Sequence, residues 1–309
     1  MKSHLKTKYQ RLFEVHLGVL NQYAPFPLVN SAIYMAPKVE VRSPSKISIV
    51  TPSFQQASFI ERTINSVISQ QYPLLEYYIQ DGGSTDGTLE ILEKYSHLIS
   101  GFESITDRGQ SNAINLAFSR TSGEIMAWLN SDDLLMPGTL NYVAEYFHSN
   151  PGIDVIYGNR LLIDENDHQI GHWVFPKHDQ NILKWADFIP QETLFWRRRI
   201  WDKVGAKIDE GFSFAMDWDL ILRFQEAGAK FSRIPYFLGA FRIHTKQKTS
   251  SVINEVGIYE MNKLRARSLG YIPTAEEIDI EIKPYIKKHI LFNIKYTLYK
   301  KIMGLRRKC

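Results

Sequence analysis

The chain has 309 residues, of which 44% are hydrophobic, 13% aromatic and 23% charged; this excludes a wholly disordered, collagenous or disulfide-rich protein. The length suits one large α/β domain or two small ones. The formal charge of +4 conceals an asymmetry, because Lys283 to Cys309 holds nine Lys/Arg and no acid, which leaves 28 bases against 33 acids elsewhere, a net of −5.

The N-terminus, MKSHLKTKYQRLFEV, lacks the apolar core of a signal peptide. Residues 1–45 show no clear period and are punctuated by Pro25, Pro27, Pro37 and Pro44, so they read as a short helix near Tyr9–Leu20 followed by an extended lead-in. A regular alternation begins at Lys46. Ile47–Thr51 is apolar and β-branched, the pattern of a buried strand. Ile60, Ile64, Val67 and Ile68 then recur at helical spacing. Tyr77–Gln80, Phe102–Thr106 and Glu124–Leu129 read as further strands, each followed by a helix: Thr88–Leu98, Gln110–Ser119 and Thr139–His148. Such alternation predicts a parallel sheet with helices on its faces. Beyond Pro151 the pattern changes to a hairpin (Asp154–Asp164 with His172–Phe175), a tryptophan-rich connection over residues 178–204, an amphipathic helix at Asp217–Ala227 and a strand at Lys230–Ile243. This half reads as a mixed extension of the first sheet. After Thr249 the chain reads as helical to its end, and its only cysteine is Cys309, so no intrachain disulfide and no cysteine-rich zinc site can form. No apolar run approaches the length needed to cross a bilayer, and a cytoplasmic protein is expected.

Ligands of an open parallel sheet bind at the carboxyl ends of its strands. The four predicted ends are Thr51-Pro52-Ser53, Asp81-Gly82-Gly83-Ser84, Asp107-Arg108-Gly109-Gln110 and Asn130-Ser131-Asp132-Asp133. All are polar and three carry carboxylates, which together make an acidic crevice. Capping of the following helices would explain any one end, but four on one edge are harder to explain that way. The adjacent carboxylates of Asp132 and Asp133 repel, and a divalent cation with hard oxygen ligands, magnesium or manganese, would offset that charge and bind a diphosphate. The alternative is a solvated acidic turn before Pro137 and Gly138. In the second loop the glycines, Gly83 among them, allow a tight turn and close approach of a flat ligand. Asp81 can accept hydrogen bonds from a base or a ribose there. A plain loop capped by Asp86 is the competing reading.

The run Ile47–Ser53, the loop Asp81–Thr88 and the segment Trp128–Asp133 resemble the family 2 glycosyltransferases over about residues 46–245. The resemblance implies a GT-A fold, an α/β Rossmann-like mixed sheet flanked by helices, over residues 46–249, with a helical basic extension over residues 250–309. It implies a nucleotide-diphosphate sugar donor, with Asp81 on the base and Asp132 and Asp133 on ribose and metal; Thr51, Pro52, Ser53 and Gly83 complete the expected nucleotide-sugar site. Met216-Asp217-Trp218-Asp219 matches the motif that carries the catalytic base of inverting members, which implies that role for Asp217. A base is needed because a sugar hydroxyl is a poor nucleophile until its proton is taken. The alternative is that Asp217 and Asp219 are first-turn acids of a helix. A late histidine completes the metal site in some GT-A enzymes, a role open to His244 or else to a plain surface histidine. Arg108 is a candidate to face the diphosphate, or else to pair with Asp107 or a helix end. Gln191, Glu192 and Trp196 are the candidates for the acceptor side, though tryptophans in such a run are more often core. Three departures stand out: Gly82 where a second aspartate is frequent, Asn130 where many members have Asp, and Met216 where an acid usually precedes the base.

The expected function is inverting transfer of a sugar, assisted by a divalent metal (Mn²⁺ or Mg²⁺), to a saccharide or lipid-linked saccharide in cell-surface polysaccharide synthesis. Two rivals remain. A nucleotidyltransferase making sugar nucleotides would need a Gly- and Arg-rich loop after the first strand, unlike Thr51–Gln56. A non-catalytic sugar-nucleotide or membrane-binding protein would not need Asp132, Asp133 and Asp217. Ile286, Ile290, Leu291, Ile294, Leu298, Ile302 and Leu305 recur at helical spacing among lysines and arginines. That is a basic amphipathic helix, suited to an anionic membrane surface on the inner face of the plasma membrane or to packing on the acidic body. No nucleic-acid reader motif accompanies the charge.

Overall fold

The computed structural model describes residues 22–28, 36–41, 43–245 and 256–306; the helix expected at Tyr9–Leu20 lies outside them. Ten strands form one mixed sheet. The lead-in contributes β1 (Gln22–Pro27). The alternating half contributes β2 (Ile47–Ser53), α1 (Ile60–Ile68), β3 (Leu75–Asp81), α2 (Thr88–Tyr95), β4 (Gly101–Ser104), α3 (Gln110–Phe118) and β5 (Ile125–Trp128). Strands β2, β3, β4 and β5 are parallel in the order β4–β3–β2–β5. All seven residues of β2 are buried, as a central parallel strand covered on both faces requires. The order reverses between β2 and β5, and that switch point opens a crevice above the strand ends.

The second half adds β6 (Leu134–Leu135), α4 (Thr139–Ser149), β7 (Val155–Ile163), β8 (His168–Trp173), α5 (Gln180–Leu183), β9 (Phe195–Arg197), α6 (Arg198–Lys203), α7 (Met216–Glu226) and β10 (Phe231–Arg242). Strand β9 bridges β5 and β7, antiparallel to both, and so joins the two halves. Strand β10 runs parallel to β7 with register breaks on both sides of Phe237. Pro235, which has no N–H to donate, lies in the first break, where its carbonyl accepts from Asn159 Nδ2 at 3.1 Å. The hairpin return is β8, a few residues earlier than the expected His172–Phe175. Its buried Gln169 faces Ile163 just past a register shift between the two strands. The lead-in is a true edge strand, with β1 antiparallel to β8.

The chain ends in α8 (Ile258–Leu269) and α9 (Ala275–Arg306). Leu264, Ile282 and Tyr285 from these helices join the same buried cluster as Trp128, Trp196 and Trp218. The C-terminal helices are thus packed into the main core.

Candidate active site

The four parallel strand ends and the segment from Asp187 to Asp217 enclose a cavity of about 750 Å³. Pro52, Ser53, Asp132, Asp133, Gln191, Glu192 and Asp217 line it, whereas Thr51, Asp81, Gly83, Arg108, Trp196 and His244 do not. Thr51 is fully buried behind the wall, its Oγ1 3.0 Å from the Tyr77 hydroxyl. Trp196 lies in the core between Trp128, Trp201 and Phe118. Arg108 points to solvent and pairs with Glu210 at 2.8 Å.

Asp81 is buried at the end of β3, where Oδ2 accepts from Ser84 N, Gly83 N and Ser104 Oγ, and Oδ1 accepts from Ser84 Oγ at 2.6 Å. Those bonds hold the glycine loop, in which Gly83 has a φ of +83° that a side chain would strain. The carboxylate on the cavity side of this loop is instead Asp107. A Cβ on Gly82 would sit 3.1 Å from Asp107 Oδ2 and 3.2 Å from the Phe54 ring. The space beside Gly82 is therefore already bordered by an acid from the next strand end.

The turn Asn130–Asp133 is held from several sides. Thr63 Oγ1 on α1 lies 2.8 Å from the carbonyls of both Ser131 and Asp133. Gln110 Nε2 donates to Asn130 Oδ1 at 2.9 Å. Arg242, at the end of β10, donates its backbone N–H to Asp133 Oδ1 at 3.0 Å and its Nε to the Asp132 carbonyl at 2.7 Å. Asp132 Oδ2 lies 3.0 Å from His244 Nε2, and the His244 ring packs on Phe59. Burial, the adjacent Asp132 and Glu192 together push the Asp133 carboxyl well above the usual range.

A carboxylate and an imidazole 3.0 Å apart form a donor pair that suits a divalent cation, with Asp133 beside it. Among the described residues no three His, Cys, Asp or Glu side chains converge as a ready-made cage. A cation there would draw its other ligands from a diphosphate and water, as magnesium does. The charge of the lining agrees: Asp107, Asp132, Asp133, Asp187, Glu192 and Asp217 face it, against Arg160 alone among basic side chains.

Asp217 opens α7, its Oδ1 accepting from Trp218 N at 2.9 Å. Burial raises its carboxyl to about 6, with the backbone bond and Arg160 opposing and Glu192 reinforcing the shift. Asp219 has a different surrounding: it is fully buried and paired with Arg223 at 2.8 Å and Arg267 at 2.5 Å, which ties α7 to α8. Arg160 forms a bidentate pair with Glu192 and stacks on Phe241 and Trp173. Four atoms of lining residues, Ser53 Oγ, Gln56 Oε1, Trp173 Nε1 and Gln191 Oε1, are buried without a hydrogen-bond partner among the described residues, although Gln191 Nε2 is anchored to the Trp128 carbonyl at 2.8 Å. Buried polar atoms of this kind are ordinarily satisfied, and a bound ligand would satisfy these.

The sequence model of Glycosyl transferase family 2 matches residues 48–205. The chain belongs to the family 2 glycosyltransferases. Among its relatives, the chondroitin synthase of Escherichia coli is 28% identical over 185 residues, 59% of this chain and 27% of that one. S. aureus TarS (residues 1–349), solved with UDP-GlcNAc, superposes with a TM-score of 0.60 at 20% identity, covering 80% of this chain and 73% of TarS. The mannosyltransferase PcManGT of Pyrobaculum calidifontis, solved with GDP-Man and Mn²⁺, gives a TM-score of 0.58 at 17% identity, covering 84% of this chain and 73% of that one. The expected GT-A fold is thereby established.

Two residues of this glycosyltransferase went unread in the sequence. Asp187 lines the cavity, and burial followed by the charge of Asp217 pushes its carboxyl well above the usual range. It belongs to no motif, and only its place in space marks it. Glu260, in α8, accepts from the backbone N–H groups of Ser213, Phe214 and Ala215, each at 2.8 Å. Burial opposes ionisation, but those bonds hold its carboxyl below the ordinary range. It thus grips the loop that delivers Asp217.

Proposed function

We propose that the chain transfers a sugar from a nucleotide-diphosphate donor to a hydroxyl of a saccharide or lipid-linked saccharide, with inversion, in cell-surface polysaccharide synthesis. The observation that carries this reading is Asp217, a carboxylate raised to about 6 that opens into the same cavity as Asp132 and Asp133. A base with that proton affinity is ionised at neutral pH yet accepts a proton more readily than an ordinary aspartate.

The donor lies along the strand ends, its base between Phe54, Gly82 and Asp107 and its diphosphate toward Asp132 and His244. Asp132, Asp133 and His244 would hold a divalent cation; when bound it supplies Lewis-acid stabilisation of the charge on the departing diphosphate. The acceptor enters from the side of Asp187, Gln191 and Phe188. Gln191 Oε1 accepts a hydrogen bond from a sugar hydroxyl there. Asp217 takes the proton from the attacking hydroxyl. The acceptor oxygen then bonds to the anomeric carbon from the face opposite the leaving group, and the carbon–oxygen bond to the diphosphate breaks with its electron pair leaving on the nucleotide. One displacement inverts the configuration. The relatives named above support the donor class, since TarS and PcManGT were solved with UDP-GlcNAc and GDP-Man. The chondroitin synthase supports a polysaccharide product. The proposed setting is the cytoplasmic face of the plasma membrane, where lipid-linked acceptors are accessible.

The test is a thermal-shift screen of nucleotide sugars with and without Mn²⁺, followed by transfer assays with the donor that binds and NMR of the product anomer. Manganese-dependent stabilisation by one donor and an inverted product are expected. A retained configuration would overturn the single-displacement mechanism.

A further inference from the structure

Helix α9 spans 32 residues, about 48 Å at the usual helical rise, and it has two apolar faces rather than one. Ile282, Tyr285 and His289 are buried, and Phe292 and Tyr296 pack partly buried against the body. On the other side Leu291, Ile294, Leu298, Tyr299 and Ile302 are each 48–57% exposed. At about 100° per residue, Leu298 and Ile302 fall within about 20° of the line through Leu291, with Ile294 and Tyr299 flanking it. Lys287, Lys288 and Lys295 are exposed and flank the same line within about 60°. The segment from Lys283 to Cys309 contains no acid.

We propose that this outward face seats the glycosyltransferase on an anionic lipid bilayer. The body is not the occupant, because α9 already meets it with the opposite face. A second copy is disfavoured, because pairing two such faces would press two acid-free basic segments together. A single-stranded or duplex nucleic acid would not use a continuous aliphatic line set between the lysines. Interleaved aliphatic and basic side chains on one face match the acyl–headgroup boundary of a bilayer, where the lysines reach phosphates and the aliphatics enter the chain region. No described helix is long and apolar enough to cross a membrane, so α9 lies along the surface. The inward face touches the cavity wall: Tyr285 packs at a tilt against Phe188 with ring centroids 4.6 Å apart, and His289 meets the Trp173 ring edge-on at 6.3 Å, and Phe188 and Trp173 line the cavity. One helix thus connects the lipid surface to the acceptor end of the site. The inference stands apart from sugar transfer, which its test does not measure.

The experiment is flotation of the full chain with vesicles of phosphatidylcholine alone or phosphatidylcholine mixed with phosphatidylglycerol. Two variants accompany it, Leu291→Gln with Leu298→Gln and Ile302→Gln, and Lys287→Gln with Lys295→Gln, each checked by circular dichroism and thermal melting. The expected result is binding to the anionic vesicles only, weakened by salt, and lowered roughly ten-fold or more by either variant. The lysine variant keeps the apolar line intact, so it remains informative if the first variant folds poorly. Equal binding to neutral vesicles, unchanged binding by the lysine variant, or a lipid-free dimer that the apolar variant dissolves would each overturn the proposal.

Discussion

Asp217 and Asp187 are two carboxylates in one cavity, and neither has an ion pair with a basic side chain among the described residues. Burying a charge without a partner costs stability, so their presence calls for a functional return. Asn at position 217 keeps the shape and the Trp218 N–H bond while removing the proton acceptor. Asp217→Asn should lower turnover by roughly 10²–10⁴-fold, the usual worth of a general base, with donor affinity by calorimetry unchanged. The same change should raise the melting temperature at neutral pH. The carboxyl of Asp217 is raised in the folded state, so the folded chain binds more protons than the unfolded one between about 4 and about 6. Its ionisation above that window therefore works against folding, and Asn removes the cost. A variant with near-normal turnover would reject the base assignment. For the wild type, kcat/KM should fall as pH drops through about 6. The charge of Asp217 raises the Asp187 carboxyl, so Asp187 keeps its proton while Asp217 ionises, and Asp187→Asn should leave that acid limb in place. A limb that moves to lower pH would mean that Asp187 ionises before Asp217.

Glu260 shows how an element outside the family match serves the site. It sits on α8, yet its carboxylate collects three N–H groups just before α7, and Arg267 from the same helix pairs with Asp219 one turn along α7. Glu260→Gln replaces an acceptor by an amide whose NH₂ group would face those N–H groups. Turnover should fall by roughly ten-fold, since misplacing a catalytic group is costly even at a distance, and amide exchange at Ser213–Ala215 should speed up. Normal exchange there would show that the loop stands without Glu260. None of this was legible in the sequence, because the partners are backbone groups some 45 residues away. The parallel half was legible because β2 and β5 are largely apolar runs that end in polar loops, and the strand-end rule then places Ser53, Asp132 and Asp133 at one edge. Strands of two or three residues, β6 and β9, are too short to carry a period. They depend on the register of β10, β5 and β7. Helix α9 was half legible. Its period was plain, but a single apolar stripe cannot be told from two opposed ones when aliphatics and aromatics occupy both.

At the scale of the molecule, α9 is locked to the sheet by a layer of rings that includes two histidines. His289 is fully buried among Trp173, Phe175 and Tyr285, and His178 stacks on Phe231 at 4.4 Å. Neither ring nitrogen of either histidine bonds to another described residue. Burial lowers both to about 4; Asp179 partly opposes this at His178, and His172 adds to it at His289. An unfolded histidine titrates near 6.5, so between about 6.5 and about 4 the unfolded chain binds more protons than the folded one. Stability contributed by the neutral rings is full above that window and is lost as pH falls through it, by at most on the order of 3 kcal/mol per histidine. The raised carboxyls of Asp133, Asp187 and Asp217 act in the opposite sense, because their protonation favours the folded state. A wild-type pH titration alone would mix the two contributions, so the difference between wild type and His289→Phe is the quantity to measure. Phenylalanine suits the ring layer and cannot protonate. In urea denaturation the variant should lose less stability than wild type between pH 7 and pH 5, with the two converging or crossing at the acid end. Parallel pH dependences would show that His289 becomes protonated without cost in the folded state.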